Sequence, residues 1–316
     1  MSHDALDAGP GRVEPDKAKL ITGRITALSV SVASVLVIAK VIAWWLSGSV
    51  AMLASLADSA LDLCASLIAF IAVRYAASPA DEEHRYGHGK AEALASLMQA
   101  MLVALSAGLL LREAVGRFLE PAAVTASGLA IAVMAVSITL TLVLVWAQTE
   151  ALKRTESLAV SGDRAHYLSD LGANVAVIAA LVLSSGLGVN RADPLIGGAI
   201  ALWLFWTAFD VGRHAYENLM DRELPDEDRD RILALAGADD RVLGVHQLRT
   251  RASGPFVHIQ MHLDLEPALS LTEAHAIVVA AERRVMDEFP AADVLIHPDP
   301  KGEAEPHGNV YFEAEE

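Results

Sequence analysis

Six long apolar runs alternate with short polar segments over the first two-thirds of the chain. They extend from about Ile25 to Leu46, Val50 to Val73, Glu92 to Leu111, Val124 to Ala147, His166 to Leu187 and Pro194 to Phe209. About 20 apolar residues cross the ~30 Å hydrocarbon core of a bilayer, so each run predicts a membrane-spanning helix. Gly48 marks a tight turn between the first two, Pro121 separates the third from the fourth, and a charged loop, 148–164, precedes the fifth. After Pro225 the period changes. Asp226 to Ala236 predicts a helix with an acidic first turn, where the helix dipole favours it. Val242 to Arg251 and Phe256 to Leu265 alternate as strands about a turn at 252–255. A helix then opens at Ser270 and runs to Glu288, and Asp293 to Ile296 predicts a last short strand. The expected fold class is an α-helical membrane protein with six transmembrane helices and a C-terminal cytoplasmic α+β domain of order αββαβ, with helices on one sheet face. The expected divisions are a mobile tail over 1–20, the membrane domain over 21–220, the α+β domain over 221–300 and an acidic disordered tail over 301–316.

Charge supplies the orientation. The chain has a formal net charge of −16, is 53% hydrophobic and has a mean hydropathy of +0.38. The acidic excess falls largely beyond Leu219 and in the N-terminal tail. Arg12, Lys17, Lys19 and Arg24 precede the first span, and Arg74, Arg85 and Lys90 follow the second. Lys153, Arg154 and Arg164 lie between the fourth and fifth, and Arg213 and Arg222 follow the sixth. The opposite side holds only Arg112, Arg117 and Arg191. The positive-inside rule therefore places both termini in the cytoplasm. The single cysteine, Cys64, excludes an intramolecular disulfide and a cysteine-built zinc site. It is turned away from Asp62 and reads as a small buried apolar side chain.

The candidate chemistry lies where polar residues interrupt these patterns. Asp58 and Asp62 stand at i and i+4 in the second span and share one helix face. Each carboxylate at the centre of a membrane helix costs about 2.5–3.5 kcal/mol on insertion scales, so the pair calls for a cation, a proton or a metal. His166 and Asp170 repeat the spacing at the start of the fifth span. Lys40 is the only obvious cation inside the apolar runs. Three carboxylates and an imidazole make a tetrahedral O/N set that suits zinc and also admits cadmium, ferrous iron or cobalt; the imidazole disfavours manganese. Between the second and third spans, Asp81, His84 and His88 are spaced to wrap one metal or, alternatively, to sit in a solvated loop capping the next helix. In the soluble domain His246, His262, His275, His297 and Asp299 cluster without cysteines. Asp299 can bridge two metals there, one held by His246 and His262, the other by His275 and His297, with His258 as a peripheral ligand. His3, His214 and His307 have no evident partners.

These stretches together resemble the cation diffusion facilitator family, and especially its bacterial zinc/proton antiporters. The resemblance is carried by 43–50 (Ala-Trp-Trp-Leu-Ser-Gly-Ser-Val), Asp58-x3-Asp62, Tyr86 to Glu92, His166-x3-Asp170, 219–227, His246-Gln-Leu-Arg-Thr-Arg and His297-Pro-Asp299-Pro. It spans residues from about 20 to 300. What it implies is a homodimer in the bacterial inner membrane, with a transport site at Asp58, Asp62, His166 and Asp170. It also implies a loop site at Asp81, His84 and His88, and a cytoplasmic metal pair on His246, His262, His275, His297 and Asp299. A charge interlock at the dimer interface, here Lys90 with Asp221, is implied as well. Pro298 departs from the family by standing where a polar residue is common, which removes a side-chain ligand.

The expected activity is zinc export driven by inward protons, with zinc ions, protons, the bilayer and a second copy of the chain as partners. No nucleic acid is expected, and no catalysis. A metal sensor would need the soluble sites but no acidic site inside the membrane, and an intramembrane metallohydrolase would need a motif such as His-Glu-x-x-His, which the sequence lacks.

Overall fold

A computed structural model of the chain describes residues 11–47, 50–119, 128–187 and 192–302. The predicted turn at Gly48, the break at Pro121, His3, His307 and the tail from 303 onward lie outside these residues. Six long helices form first: α1 (Pro15–Ser47), α2 (Val50–Ala76), α3 (Lys90–Leu119), α4 (Gly128–Thr155), α5 (Leu158–Leu187) and α6 (Ala192–Leu219). All except α5 are long and apolar enough, within the described residues, to cross a membrane. The first half of α5 carries Asp163, Arg164, His166 and Asp170. Small residues bring helices close, as membrane packing requires: Ala100, Val103 and Ala107 of α3 meet Ala165 of α5 and Leu204 and Ala208 of α6. Large apolar side chains such as Ile42, Trp45, Leu105, Trp146, Trp206 and Phe209 point outward, as they do toward lipid.

Several boundaries differ from the sequence expectation, two of them with consequences for packing. The charged loop expected over 148–164 is almost entirely helical, because α4 runs on to Thr155 and α5 starts at Leu158. Gln148, Ser157 and Asp163 face inward, while Lys153, Arg154 and Glu156 remain exposed. Glu92 of α3 is buried and accepts the Ser157 hydroxyl at 2.5 Å together with the backbone N–H groups of Leu158 and Ala159, capping α5. Likewise α1 begins at Pro15, inside the expected mobile tail, and residues just before it are anchored. Gly11 accepts a hydrogen bond from the Ala291 N–H at 3.0 Å, and Arg12 pairs with Asp228 at 2.7 Å and Glu288 at 3.4 Å while lying over the Phe289 ring. Gly11 has φ +77°, and a Cβ there would collide with Val257, so glycine is required on both grounds.

The C-terminal domain follows the expected order: α7 (Asp226–Ala236), β1 (Val242–Ser253), β2 (Phe256–Leu265), α8 (Leu271–Glu288) and β3 (Ala292–Pro300). The sheet order is β1-β2-β3, with β1 and β2 antiparallel and β2 and β3 parallel. Ser270 and Glu273 form a capping box that starts α8. Along β2 the residues alternate. Val257, Ile259, Met261 and Leu263 pack with Ile232 of α7 and Val278, Ala281 and Val285 of α8. His258, His262 and Asp264 therefore fall on the face away from that core. β3 extends to Pro300, well past the expected Ile296, because its pairing with β2 continues through His262↔His297 and Asp264↔Asp299. As an edge strand it tolerates Pro298 and Pro300.

Candidate metal sites

The helix pairs predicted from spacing meet. His166 Nε2 of α5 lies 3.1 Å from Asp62 Oδ1 of α2 and 3.9 Å from Asp170 Oδ2. Ligand atoms of these three residues all fall within 4.8 Å of one another. Asp62 and His166 are buried, and the second ring nitrogen of His166, Nδ1, is buried without a hydrogen-bond partner. Asp58 stands one turn away along α2, exposed and outside this three-residue group. Lys40 does not neutralise the acids directly: its ammonium donates to Ser59 Oγ at 2.6 Å and to the Ser55 carbonyl at 3.2 Å. The group thus offers two carboxylates and one imidazole with no cation against them among the described ion pairs. Cys64, expected to be buried, is exposed on the outer face of α2 near Leu61, which is itself 67% exposed. A thiol behaves as a small apolar group, and lipid is as acceptable to it as a protein core.

The loop residues also converge. His84 Nδ1 is 3.2 Å from Asp81 Oδ1, His88 Nε2 is 3.2 Å from Asp81 Oδ2, and the two imidazole rings stand 4.7 Å apart. Asp81 Oδ1 also accepts the His84 N–H at 2.6 Å and the Glu83 N–H at 3.0 Å. The backbone hydrogen bond from His84, and then those from its side chain and from Glu83, hold the Asp81 carboxyl below its ordinary range. It is an acceptor ready for a cation. His88 is buried against Tyr75, whose ring lies 4.4 Å away, while His84 is exposed.

In the C-terminal domain the sheet lines up three imidazoles. His246 pairs in register with His262, and His262 with His297. Their ring centroids are 5.3 Å and 5.0 Å apart. Asp299 lies among them, with Oδ2 2.8 Å from His262 Nδ1 and 3.5 Å from His246 Nε2, and Oδ1 3.3 Å from His297 Nε2. Ligand atoms of His246, His262 and Asp299 fall within 4.8 Å of one another. His275 is exposed on α8 and joins no such group among the described residues, so a second metal on His275 and His297 is not assembled within one chain. His258, expected as a peripheral ligand, is directed elsewhere: its Nδ1 is 3.2 Å from Asp293 and its ring meets Tyr86 edge-on at 5.4 Å. His214 lies 3.6 Å from Asp210 and no metal group includes it among the described residues.

The loop and the domain are joined. The Arg251 guanidinium lies over the Tyr86 ring at 4.5 Å, and Gly89 packs so tightly on the Ser253 backbone that a Cβ there has no room. Lys90 pairs with Asp221 at 2.8 Å, and also donates to the Asn218 carbonyl. Burial by itself raises the Asp221 carboxyl, but Lys90 and Arg251 hold it below its ordinary range. Lys90 and Asp221, expected as an interlock at a dimer interface, pair here within one chain.

Three polar residues escaped the reading of the sequence. Asp264 lies 3.4 Å from His246 Nε2 and 2.7 Å from Lys301 Nζ; its position two residues after His262, on the same strand face, was the available signal. Glu92 stands in the sequence as the start of a span and the end of the Tyr86-to-Glu92 stretch, with nothing local to mark it as the cap of α5. Asp163, inside the supposed loop, is fully buried and accepts hydrogen bonds from Ser66 and Gln148. One turn before His166, it could have been placed on the same helix face by periodicity.

Comparison with known proteins follows the same division. Residues 26–220 match the cation efflux transmembrane domain, and residues 224–301 match the cytoplasmic domain of cation efflux proteins. The chain is 49% identical over 272 residues to the cation-efflux pump FieF of Shewanella oneidensis, covering 86% of this chain and 92% of that protein. It is 41% identical over 285 residues to FieF of Cronobacter sakazakii, covering 90% and 94%. To FieF of Escherichia coli O127:H6 it is 40% identical over 280 residues, covering 89% and 93%.

Proposed function

The chain belongs to the cation efflux family, and from that premise we propose that it exports zinc from the cytoplasm in exchange for protons. The observation that carries this reading is His166 set between Asp62 and Asp170 on two helices of the membrane domain. Two oxygens and one imidazole nitrogen, with Asp58 one turn away to complete four donors, suit zinc better than a hard ion that prefers oxygen alone. Binding requires a neutral imidazole and ionised carboxylates, so an arriving metal displaces protons. His166, which must lose a proton to bind metal and can regain it when the metal leaves, is the natural exchange group. Alternating exposure of these ligands to the two sides then lets the inward proton gradient drive metal outward.

Six spans with both termini in the cytoplasm accompany this reading. The contact of Gly11 and Arg12 with the cytoplasmic domain supports it, since an even number of crossings returns the chain to its starting side. The protein works as a homodimer in the inner membrane. Asp81, His84 and His88 would hold one resident metal, and His246, His262 and Asp299 another, with His297 3.3 Å from the same Asp299. The donor chemistry fits, being nitrogen and carboxylate oxygen in groups within 4.8 Å in both places. A metal there supplies a cross-link, and one on the loop would stiffen the segment that seats Tyr86 and Gly89 on the cytoplasmic domain. Metal on these sites biases the transport equilibrium only so far as it binds one state better than the other.

The test is flux into proteoliposomes under an imposed pH gradient, comparing zinc, cadmium, ferrous iron and manganese. Zinc flux should follow the gradient and fall at least ~100-fold in Asp62→Ala, since loss even of outer-shell partners lowers metal affinity roughly 10–100-fold. Binding without flux in the unaltered protein would sink the reading and favour a sensor. Flux of iron or cadmium in place of zinc would keep the transport and change the cargo.

A further inference from the structure

Immediately beside the membrane site, toward the end of the bundle that carries the cytoplasmic domain, lies a second polar cluster with no metal-binding geometry. Its centre is Asp163, three residues before His166 on α5, and fully buried. Ser66 of α2, one turn past Asp62, donates to Asp163 Oδ1 at 3.2 Å, and Gln148 of α4 donates to Oδ2 at 2.8 Å. The same Gln148 amide reaches Ser29 Oγ of α1 at 3.1 Å. Tyr167 closes the ring, with its hydroxyl 2.8 Å from Ser66 Oγ and donating to the Ser29 carbonyl at 3.3 Å. Four helices are tied through one carboxyl group. No described ion pair reaches it; the neighbouring Arg164 turns instead to Thr149 at 3.3 Å.

Exposure divides sharply across this layer. Ser29, Ser66, Gln148 and Asp163 are each 0% exposed and Tyr167 is 1% exposed. Below them, nearer the cytoplasmic domain, Val73 packs with Ala95 and Ala159, and Ile25 with Ala151 and Val160. On the other side of the site, Asp58 is exposed and the Asp170 side chain is 24% exposed. Burial is therefore complete on the side of the ligands that faces the cytoplasmic domain and incomplete at Asp58 and Asp170.

We propose that Asp163, with Ser66, Gln148, Ser29 and Tyr167, is the cytoplasmic gate of the transport path, closed in this structure. The proposal rests on the transport reading above. A carboxyl group in an apolar interior is tolerated only while its oxygens are satisfied. Both Asp163 oxygens depend on donors from other helices, so a small helix shift does not stretch the cluster gradually. It breaks the hydrogen bonds and leaves a group that only water can satisfy. The layer therefore has two stable conditions, aligned and dry or parted and wet, as a gate requires. Asp163 acts as a positioning residue: it decides which end reaches Asp62 and His166 without holding the metal.

The experiment uses the full-length protein in inside-out vesicles, in a Cys64→Ser background with Val73→Cys as reporter. Val73 is 2% exposed and lies two turns beyond Ser66 on the same face of α2. A membrane-impermeant maleimide should label it slowly, and at least tenfold faster once Asp163→Ala parts the layer. Ser66→Ala, a milder change that keeps Asp163, should give a smaller increase in the same direction. A thermal-unfolding midpoint on each variant separates gate opening from loss of fold. Asp62→Ala should abolish zinc flux yet leave labelling slow, so the gate and the metal site are read independently. Labelling unchanged in both Asp163→Ala and Ser66→Ala would overturn the gate, whether or not zinc is the cargo.

Discussion

Lys90 Nζ, at the first residue of α3, is 2.8 Å from Asp221 Oδ1, two residues past the end of α6, and Asp221 also lies 3.3 Å from Arg251 of β1. One carboxylate therefore ties the start of α3, the end of α6 and the sheet. Both side chains of the Lys90–Asp221 pair are partly exposed, so its direct contribution is modest, about 0.2–1 kcal/mol by the measure of surface pairs. Lys90→Glu should lower the thermal midpoint, and the double reversal Lys90→Glu with Asp221→Lys should recover part of the loss. A double-mutant cycle on detergent-solubilised protein reads the coupling directly. Absence of any recovery would show two independent charges.

Glu288 gives a pH dependence with a defined sign. Its carboxyl is held below its ordinary value of 4.5, first by the hydrogen bonds from Arg231 and then by the charges of Arg231 and Arg12. A carboxyl whose folded value is depressed contributes stability above its unfolded value, and that contribution is lost as pH falls through the folded value. Unfolding midpoints should therefore drop as pH falls below about 4.5. The drop should be shallower in Glu288→Gln, which lacks the titrating group. Equal slopes in the two proteins would place the acid sensitivity elsewhere.

At the loop, Asp81 is already below its ordinary range, so the pH dependence of metal binding there should come from His84 and His88. Zinc affinity at this site should weaken as pH falls, because the metal needs unprotonated imidazole rings. His84→Ala should lower loop affinity at least roughly tenfold, the low end of what disturbing a ligand shell does. Competition titration against a chromophoric chelator between pH 5.5 and 7.5 measures both.

The cytoplasmic cluster predicts metal-dependent stability. Saturating zinc should raise the unfolding midpoint of the full chain, since a ligand at about 100 times its Kd stabilises the folded state by about 2.7 kcal/mol. His262→Ala, which removes the residue at the middle of the imidazole row, should abolish most of that gain. Asp264→Asn should reduce zinc affinity by ~10-fold through His246, as loss of a supporting carboxylate does. Calorimetric unfolding with zinc and with a chelator compares all three. An undiminished zinc shift in His262→Ala would remove this cluster from consideration.

The spacing of Asp58 with Asp62 and of His166 with Asp170 determined which faces of two helices carry chemistry, because helix periodicity is local and depends on nothing beyond the chain. The same reason made the alternation of β2 legible, and with it the separation of Ile259 and Met261 from His258 and His262. Hydropathy likewise delimited the apolar runs. What could not be read locally was every relationship set by a partner from a distant segment. Gln148, Ser157 and Asp163 resemble a solvated loop until Glu92, Ser66 and Ser29 arrive to satisfy them, and then burial is possible. Gly11 and Arg12 read as a free tail until Asp228, Phe289 and Ala291 are in reach. β3 reads as ending at Ile296, since two prolines follow, until pairing with β2 as an edge strand carries His297 and Asp299 into the row. The membrane body, the C-terminal domain and the residue types able to hold a metal are legible along the chain. That Asp62, His166 and Asp170 meet while His275 stays apart, and that Asp163 is buried among Ser66 and Gln148, follows from the tertiary structure. Those outcomes depend on distances between helices and strands, which the order of residues does not contain.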